Sequence, residues 1–107
     1  MTEQMVVLST AGSEEEASRL ARLLVEDRLA ACVAVTPGVK SVYRWGGRME
    51  ESQEWALTIK TSRALLPALM ARLKSAHSYQ VPEILALTVE DGNPDYLDWM
   101  KMELKQE

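Results

Sequence analysis

The chain has no phenylalanine, one cysteine, one histidine, four prolines and five glycines in 107 residues. Each scarcity excludes something. The lone Cys32 cannot close an internal disulfide and cannot supply a CxxC metal or redox pair. A reducing compartment, the cytoplasm, is the expectation. No run of about 18 apolar residues exists, so no membrane-spanning helix is expected. The first residues lack the basic segment and apolar run of a signal peptide. There is no excess of positive charge: 12 basic against 16 acidic residues give a net −4, which disfavours a phosphate-tracking surface. RNA binding on a sheet needs exposed aromatics and basic side chains, whereas this chain has no Phe and a negative net charge, so it is not expected. No Gly-rich phosphate loop, Ser-His-Asp arrangement or nucleophile beside a base occurs, so a non-enzymatic protein is expected. No repeat, linker or low-complexity tract divides the chain, which predicts one domain over 1–107.

What is present is periodic. Residues 5–10 read as a strand that is apolar on both side-chain parities at its start. Ser13 followed by three glutamates has capping-box form, with Glu16 at N3. Ala17, Leu20, Ala21 and Leu24 then give the buried stripe of a helix. Residues 30–36 predict a second strand, Pro37-Gly38 a bulge, and 39–45 its resumption. Gly46-Gly47 is a two-residue hairpin turn that sets Trp45 opposite Arg48, Tyr43 opposite Glu50 and Ser41 opposite Ser52. Residues 48–61 form the return strand. Ser62 is the predicted N-cap of a second helix with the stripe Leu66, Leu69, Met70 and Leu73, and Pro67 in its first turns. Residues 77–83 form a loop, and 84–89 a fourth strand, apolar on both parities. Asn93 and Pro94 start a third helix, with Tyr96, Trp99 and Met100 as its expected inner face.

The order strand, helix, strand, strand, helix, strand, helix is an α+β, ferredoxin-like βαββαβ pattern with a long β-hairpin and an extra C-terminal helix. Two helices cover one face of a four-stranded sheet. Either Val6, Leu8, Val33, Val35, Leu85 and Leu87, or Met5, Val7, Cys32, Ala34, Ile84 and Ala86, then face away from them. A patch of that kind marks an interface, and a homo-oligomer packed through its sheets is predicted. The alternative is that the C-terminal helix folds under the sheet and covers the face by itself.

Candidate chemistry is sparse. A zinc site takes about four ligands at recognisable spacing. Cys32 and His77 fall short of that within one chain, although a symmetric assembly multiplies them. Cys32 also reads as a small buried strand residue, and His77 as a helix C-terminal residue facing the helix dipole. Met70 and Met100 lie on apolar helical faces and read as core. Lys60 shares its strand parity with Glu54, Ser52 and Glu50; it either forms a structural salt bridge or binds an anion. His77, Tyr79 and Glu83, the last held extended by Pro82, can line a cleft at a strand end near a neighbouring subunit.

Several segments together carry a resemblance. They are Ala30-Ala31-Cys32-Val33, Pro37-Gly38 with Ser41-Val42-Tyr43, Trp45-Gly46-Gly47-Arg48, and Glu54 with Ile59-Lys60-Thr61. His77-Ser78-Tyr79-Gln80-Val81-Pro82-Glu83 and Gly92-Asn93-Pro94-Asp95-Tyr96-Leu97-Asp98-Trp99 follow. In this order they resemble the CutA family of divalent-cation tolerance proteins over about residues 5–104. The resemblance implies a homotrimer similar to the P-II signalling proteins and a role in tolerance of copper or another divalent metal ion. It also implies a site at subunit boundaries made of Cys32, Glu54, Lys60, His77, Tyr79 and Glu83, with Cys32 and His77 as metal ligands and the others binding a ligand. The chain departs from the pattern at Ser78, where proline is usual. It also departs at Ser9 and Ala76, where some relatives carry cysteine and a second histidine. Those departures weaken copper binding, because soft thiolates select copper. The competing expectation is a signalling or scaffold module acting on an unknown protein partner.

Overall fold

A computed structural model describes residues 1–106. The elements are β1 (Gln4–Ala11), α1 (Glu14–Glu26), β2 (Cys32–Trp45), β3 (Arg48–Ser62), α2 (Leu66–Ala76), β4 (Leu85–Thr88) and α3 (Pro94–Glu103). The strands form one antiparallel sheet in the order β2-β3-β1-β4. Three helices and a four-stranded antiparallel sheet make this an α+β fold, as expected.

Local chemistry sets the element ends. Ser13 Oγ accepts the Glu16 backbone N–H at 3.1 Å, and three glutamates fill the first turn of α1. Gly46 and Gly47 both have positive φ (60° and 79°), which a two-residue hairpin turn requires. The hairpin register sets Trp45 against Arg48, Tyr43 against Glu50 and Ser41 against Ser52. The register shifts between Thr36 and Val39, where Gly38 has φ +75°, so Pro37-Gly38 is the predicted bulge. Asn93 Oδ1 accepts the Asp95 N–H at 3.0 Å and caps α3.

Three expectations are corrected. Ser62 is not the N-cap of α2: it ends β3, and its Oγ accepts the Leu65 N–H at 3.3 Å across a turn. Leu65 is the N-cap, because Pro67 suits only the first turn and holds the helix start beside itself. Met70 is exposed while Leu69 and Leu73 are fully buried. Of the expected inner face of α3 only Met100 is buried; Tyr96 and Trp99 are each 41% exposed. The stripe that enters the core is instead Leu97, Met100 and, just past the helix, Leu104, which turns Tyr96 and Trp99 outward.

The core lies between the helices and one face of the sheet. Val7, Leu57, Ile59, Leu20, Leu24, Leu69 and Leu73 are its best-buried large side chains. Directly paired residues share a face, so the register defines the other one. Its rows across the sheet are Cys32–Lys60–Val6–Leu87, Ala34–Thr58–Leu8–Leu85 and Thr36–Ala56–Thr10. The open face therefore mixes the two expected sets. Cys32 and Ala34 join Val6, Leu8, Leu85 and Leu87, while Val33 and Val35 pack against the core. The C-terminal helix reaches this face at one end only. Gln4 Nε2 donates to Leu97 O at 3.3 Å and Lys60 Nζ to Tyr96 Oη at 3.4 Å. Leu85 and Leu87 remain 57% and 51% exposed.

Candidate functional site

The loop that follows α2 is tied to the rest of the molecule from two sides. His77 is the C-cap of α2, and its side chain is buried. Its Nε2–H donates to Thr10 O at 2.7 Å, and its Nδ1 accepts the Tyr79 backbone N–H at 3.0 Å. These partners assign the ring proton to Nε2 and leave neither nitrogen free. Glu16 Oε2 lies 3.7 Å from Nδ1. The same carboxylate accepts two bonds from Ser78, the backbone N–H at 2.7 Å and the hydroxyl at 2.8 Å. The side chain at N3 of α1 thus reaches across to the loop. Burial raises the Glu16 carboxyl, but the two Ser78 bonds, together with the nearby His77 ring and the Gly12 backbone, hold the group below its usual value.

On the other side, Tyr79 Oη donates to Glu54 Oε2 at 2.7 Å, and the residue Glu54 is only 7% exposed. The two rings of His77 and Tyr79 lie 4.7 Å apart. A Cβ at Gly12 would meet Tyr79 Oη at 3.0 Å, so glycine there leaves room for the phenol. Burial pushes the Tyr79 phenol above its ordinary range, and the carboxylate of Glu54 adds to the shift. A half-buried phenol held neutral beside a carboxylate is a fixed hydrogen-bond donor.

The remaining members of the expected set lie elsewhere. Lys60 is six residues along β3 from Glu54, about 20 Å at roughly 3.3 Å per residue. Its Nζ stands 4.0 Å from Cys32 Sγ, 3.4 Å from Tyr96 Oη and 5.7 Å from the centre of the Tyr96 ring. Glu83 is exposed on the loop, and no polar contact joins it to either group among the described residues. Within one chain the structure therefore brings together Glu54, His77 and Tyr79, and separately Cys32 and Lys60. Sequence reasoning missed Glu16 and Tyr96. Glu16 carried the signature of a capping box, and nothing local says that its carboxylate turns to Ser78. Helical spacing places Tyr96 in the core, but the side chain turns outward to Lys60.

The donor set leaves little to offer a divalent metal ion. Both His77 nitrogens are engaged, the Glu54 carboxylate holds Tyr79, and Cys32 faces an ammonium. Among the described residues no three His, Cys, Asp or Glu side chains converge. The described residues of a single chain do not fit a resident metal.

Residues 5–103 match the family described as CutA1 divalent ion tolerance protein. The divalent-cation tolerance protein CutA of Thermus thermophilus is 51% identical over 96 residues, which span 90% of this chain and 93% of that one. A solved structure of the Thermus thermophilus protein superposes with a TM-score of 0.93 at 48% identity, covering 95% of this chain and 99% of the other. The crystal structure of CutA from Xylella fastidiosa gives 0.95 at 39% identity, covering 97% and 100%. Over almost its whole length, then, the chain belongs to the CutA divalent-cation tolerance family.

Proposed function

We propose that the protein acts as a homotrimeric, non-enzymatic divalent-cation tolerance protein of the cytoplasm that binds a metal ion or a small ligand in clefts between subunits. The observation that carries this is the open sheet face. Val6, Leu8, Leu85 and Leu87 lie together on it, and α3 leaves the two leucines of β4 more than half exposed. An apolar face of this kind is favourable to cover, at about 25 cal/mol per Å², and a sister chain is the occupant with the same shape on offer in solution. The β2–β3 hairpin supports the same reading. Val42, Trp45 and Met49 are 58%, 56% and 74% exposed on an arm that runs past the core, and such an arm needs a surface to pack on.

Assembly also bears on the split site. Glu54, His77 and Tyr79 stand at one end of the sheet and Lys60 at the other. A cleft containing both draws them from different subunits. A metal ion would likewise take ligands from more than one chain, and Glu83 is free to supply one. Calorimetric titration of the assembled protein with copper(II) and zinc ions tests this part. Heat in wild type that falls in Glu83→Ala supports a metal in the clefts; no heat, or equal heat in both proteins, removes it. The lone cysteine supports the cytoplasmic assignment.

A further inference from the structure

Four aspartates and one asparagine occur in the chain, and only Asp91 is followed by glycine. Residues 89–93 join β4 to α3 without helix or strand, and residues 90–93 are exposed. The Gly92 backbone N–H donates to Oδ1 of the preceding Asp91 at 2.8 Å. No backbone carbonyl accepts that N–H among the described residues. The other four positions differ. The Arg28 N–H after Asp27 donates to Val25 O, and the Tyr96 N–H after Asp95 donates to Asn93 O, each at 3.0 Å. Trp99, after Asp98, lies inside α3. Asn93 precedes Pro94, which has no N–H. At Asp91 alone, then, an exposed main-chain nitrogen is turned onto the carboxyl group one residue behind it. Glycine brings no β-carbon to crowd the approach.

We infer that Asp91-Gly92 is a modification site: the chain isomerises there to isoaspartate and so becomes a substrate for an S-adenosylmethionine-dependent carboxyl methyltransferase. The Gly92 nitrogen attacks Cγ of the Asp91 carboxyl in its protonated form. A C–N bond forms, a C–O bond breaks, and the nitrogen's proton leaves with the hydroxyl as water. The product is a five-membered succinimide. Water then opens the ring at either carbonyl. Opening at Cγ restores aspartate; opening at the main-chain carbonyl leaves the chain running through the side-chain carbon, with the α-carboxylate free. Nothing is oxidised or reduced, and water is the only co-reactant. The freed α-carboxylate is the group that takes the methyl of S-adenosylmethionine, leaving S-adenosylhomocysteine. The change strikes a joint fixed on both sides. Thr2 N–H donates to Val89 O at 2.9 Å and Val89 N–H to Gln4 O at 3.2 Å, while Asn93 Oδ1 caps α3 at 3.0 Å. Isoaspartate adds a carbon to the main chain between these anchors and displaces the start of α3. All the reacting groups lie in one chain, so the site stands apart from the proposed function.

The test incubates the intact protein for several weeks at neutral pH in heavy-oxygen water. Beside it stand the same chain unfolded in guanidinium chloride and an Asp91→Glu variant, whose longer side chain cannot close the five-membered ring. Peptide mapping locates the isotope, and an isoaspartyl carboxyl methyltransferase with labelled S-adenosylmethionine counts the isoaspartate. Folded wild type is expected to gain heavy oxygen at residue 91 and to accept a methyl group there. Its rate is expected within about tenfold of the unfolded chain, because backbone outside any ladder needs no opening of the fold to react. Asp91→Glu gains neither label at that position. Folded wild type that stays unmodified, or that reacts more than about tenfold slower than the unfolded chain, shows a joint shielded by the fold or by its assembly and overturns the site. Equal labelling of Asp91→Glu overturns it as well.

Discussion

Tyr79 and Glu54 are 25 residues apart in sequence and 2.7 Å apart in space, and the bond between them fastens the loop after α2 to β3. Glu16 fastens the same loop to α1 through Ser78. The loop therefore holds its shape through two carboxylates contributed by elements distant in sequence.

Removing the phenol hydroxyl breaks one of these ties and leaves a carboxylate buried without its donor. Tyr79→Phe is expected to destabilise the fold by about 1–3 kcal/mol, the cost of an unsatisfied buried group. Glu54→Gln, which keeps an acceptor oxygen, is expected to cost less. Denaturant unfolding of the two variants measures the difference; equal stability of Tyr79→Phe and wild type contradicts the bond's role.

Gly12 is tied to the same contact. Alanine there puts a Cβ at 3.0 Å from Tyr79 Oη, so the ring must move and the bond to Glu54 lengthens. Gly12→Ala is expected to cost about 1–3 kcal/mol, as overpacking does. In a Tyr79→Phe background the clashing atom is gone and the cost shrinks. A double-mutant cycle that returns simple additivity removes the link.

Glu16 gives the fold a pH dependence of definite sign. Its folded-state carboxyl lies below the usual 4.5. A depressed carboxyl stabilises the fold fully above its unfolded value, and the contribution disappears as pH falls from about 4.5 through the folded value. Glu16→Gln lacks this component. Its stability is expected to change less steeply with pH in that window, and unfolding midpoints collected between about pH 3 and 6 report it. Parallel curves for variant and wild type would falsify the assignment.

Ser9 is the reverse case. Its Oγ is buried with no hydrogen-bond partner among the described residues, and the residue is 2% exposed on the core side of β1. A desolvated, unpaired hydroxyl opposes folding by about 1–3 kcal/mol. Ser9→Ala is expected to hold or raise the unfolding midpoint, and a clear loss of stability would show a partner that the geometry lacks.

Much of the fold is legible in the residues themselves. Ser13, Asn93 with Pro94, Gly46-Gly47 and Pro37-Gly38 act locally, through caps, a turn and a bulge, and each sets its element end where its chemistry requires. Apart from the cap of α2, which Pro67 sets at Leu65, the misreadings are tertiary. Tyr96 and Trp99 obey helical spacing, but Leu97, Met100 and Leu104 win the core position. The distribution of β2 between faces depends on its register against Ile59 and Lys60, which alternation alone leaves open. For the site, Tyr79 and His77 could be named from the loop, whereas their partners Glu54, Glu16 and Thr10 O come from three other segments. Lys60 and Glu54 share a strand parity, but strand rise keeps them apart within one chain.

The central claim is that sister chains cover the open sheet face. Sedimentation of wild type and of a Leu85→Lys/Leu87→Lys variant at micromolar concentration tests it most directly. The account predicts wild type near 36 kDa, three times the 12.0 kDa chain, and a variant shifted toward the single chain because β4 then presents charge to its neighbour. A wild-type protein that stays folded and sediments at 12.0 kDa contradicts it.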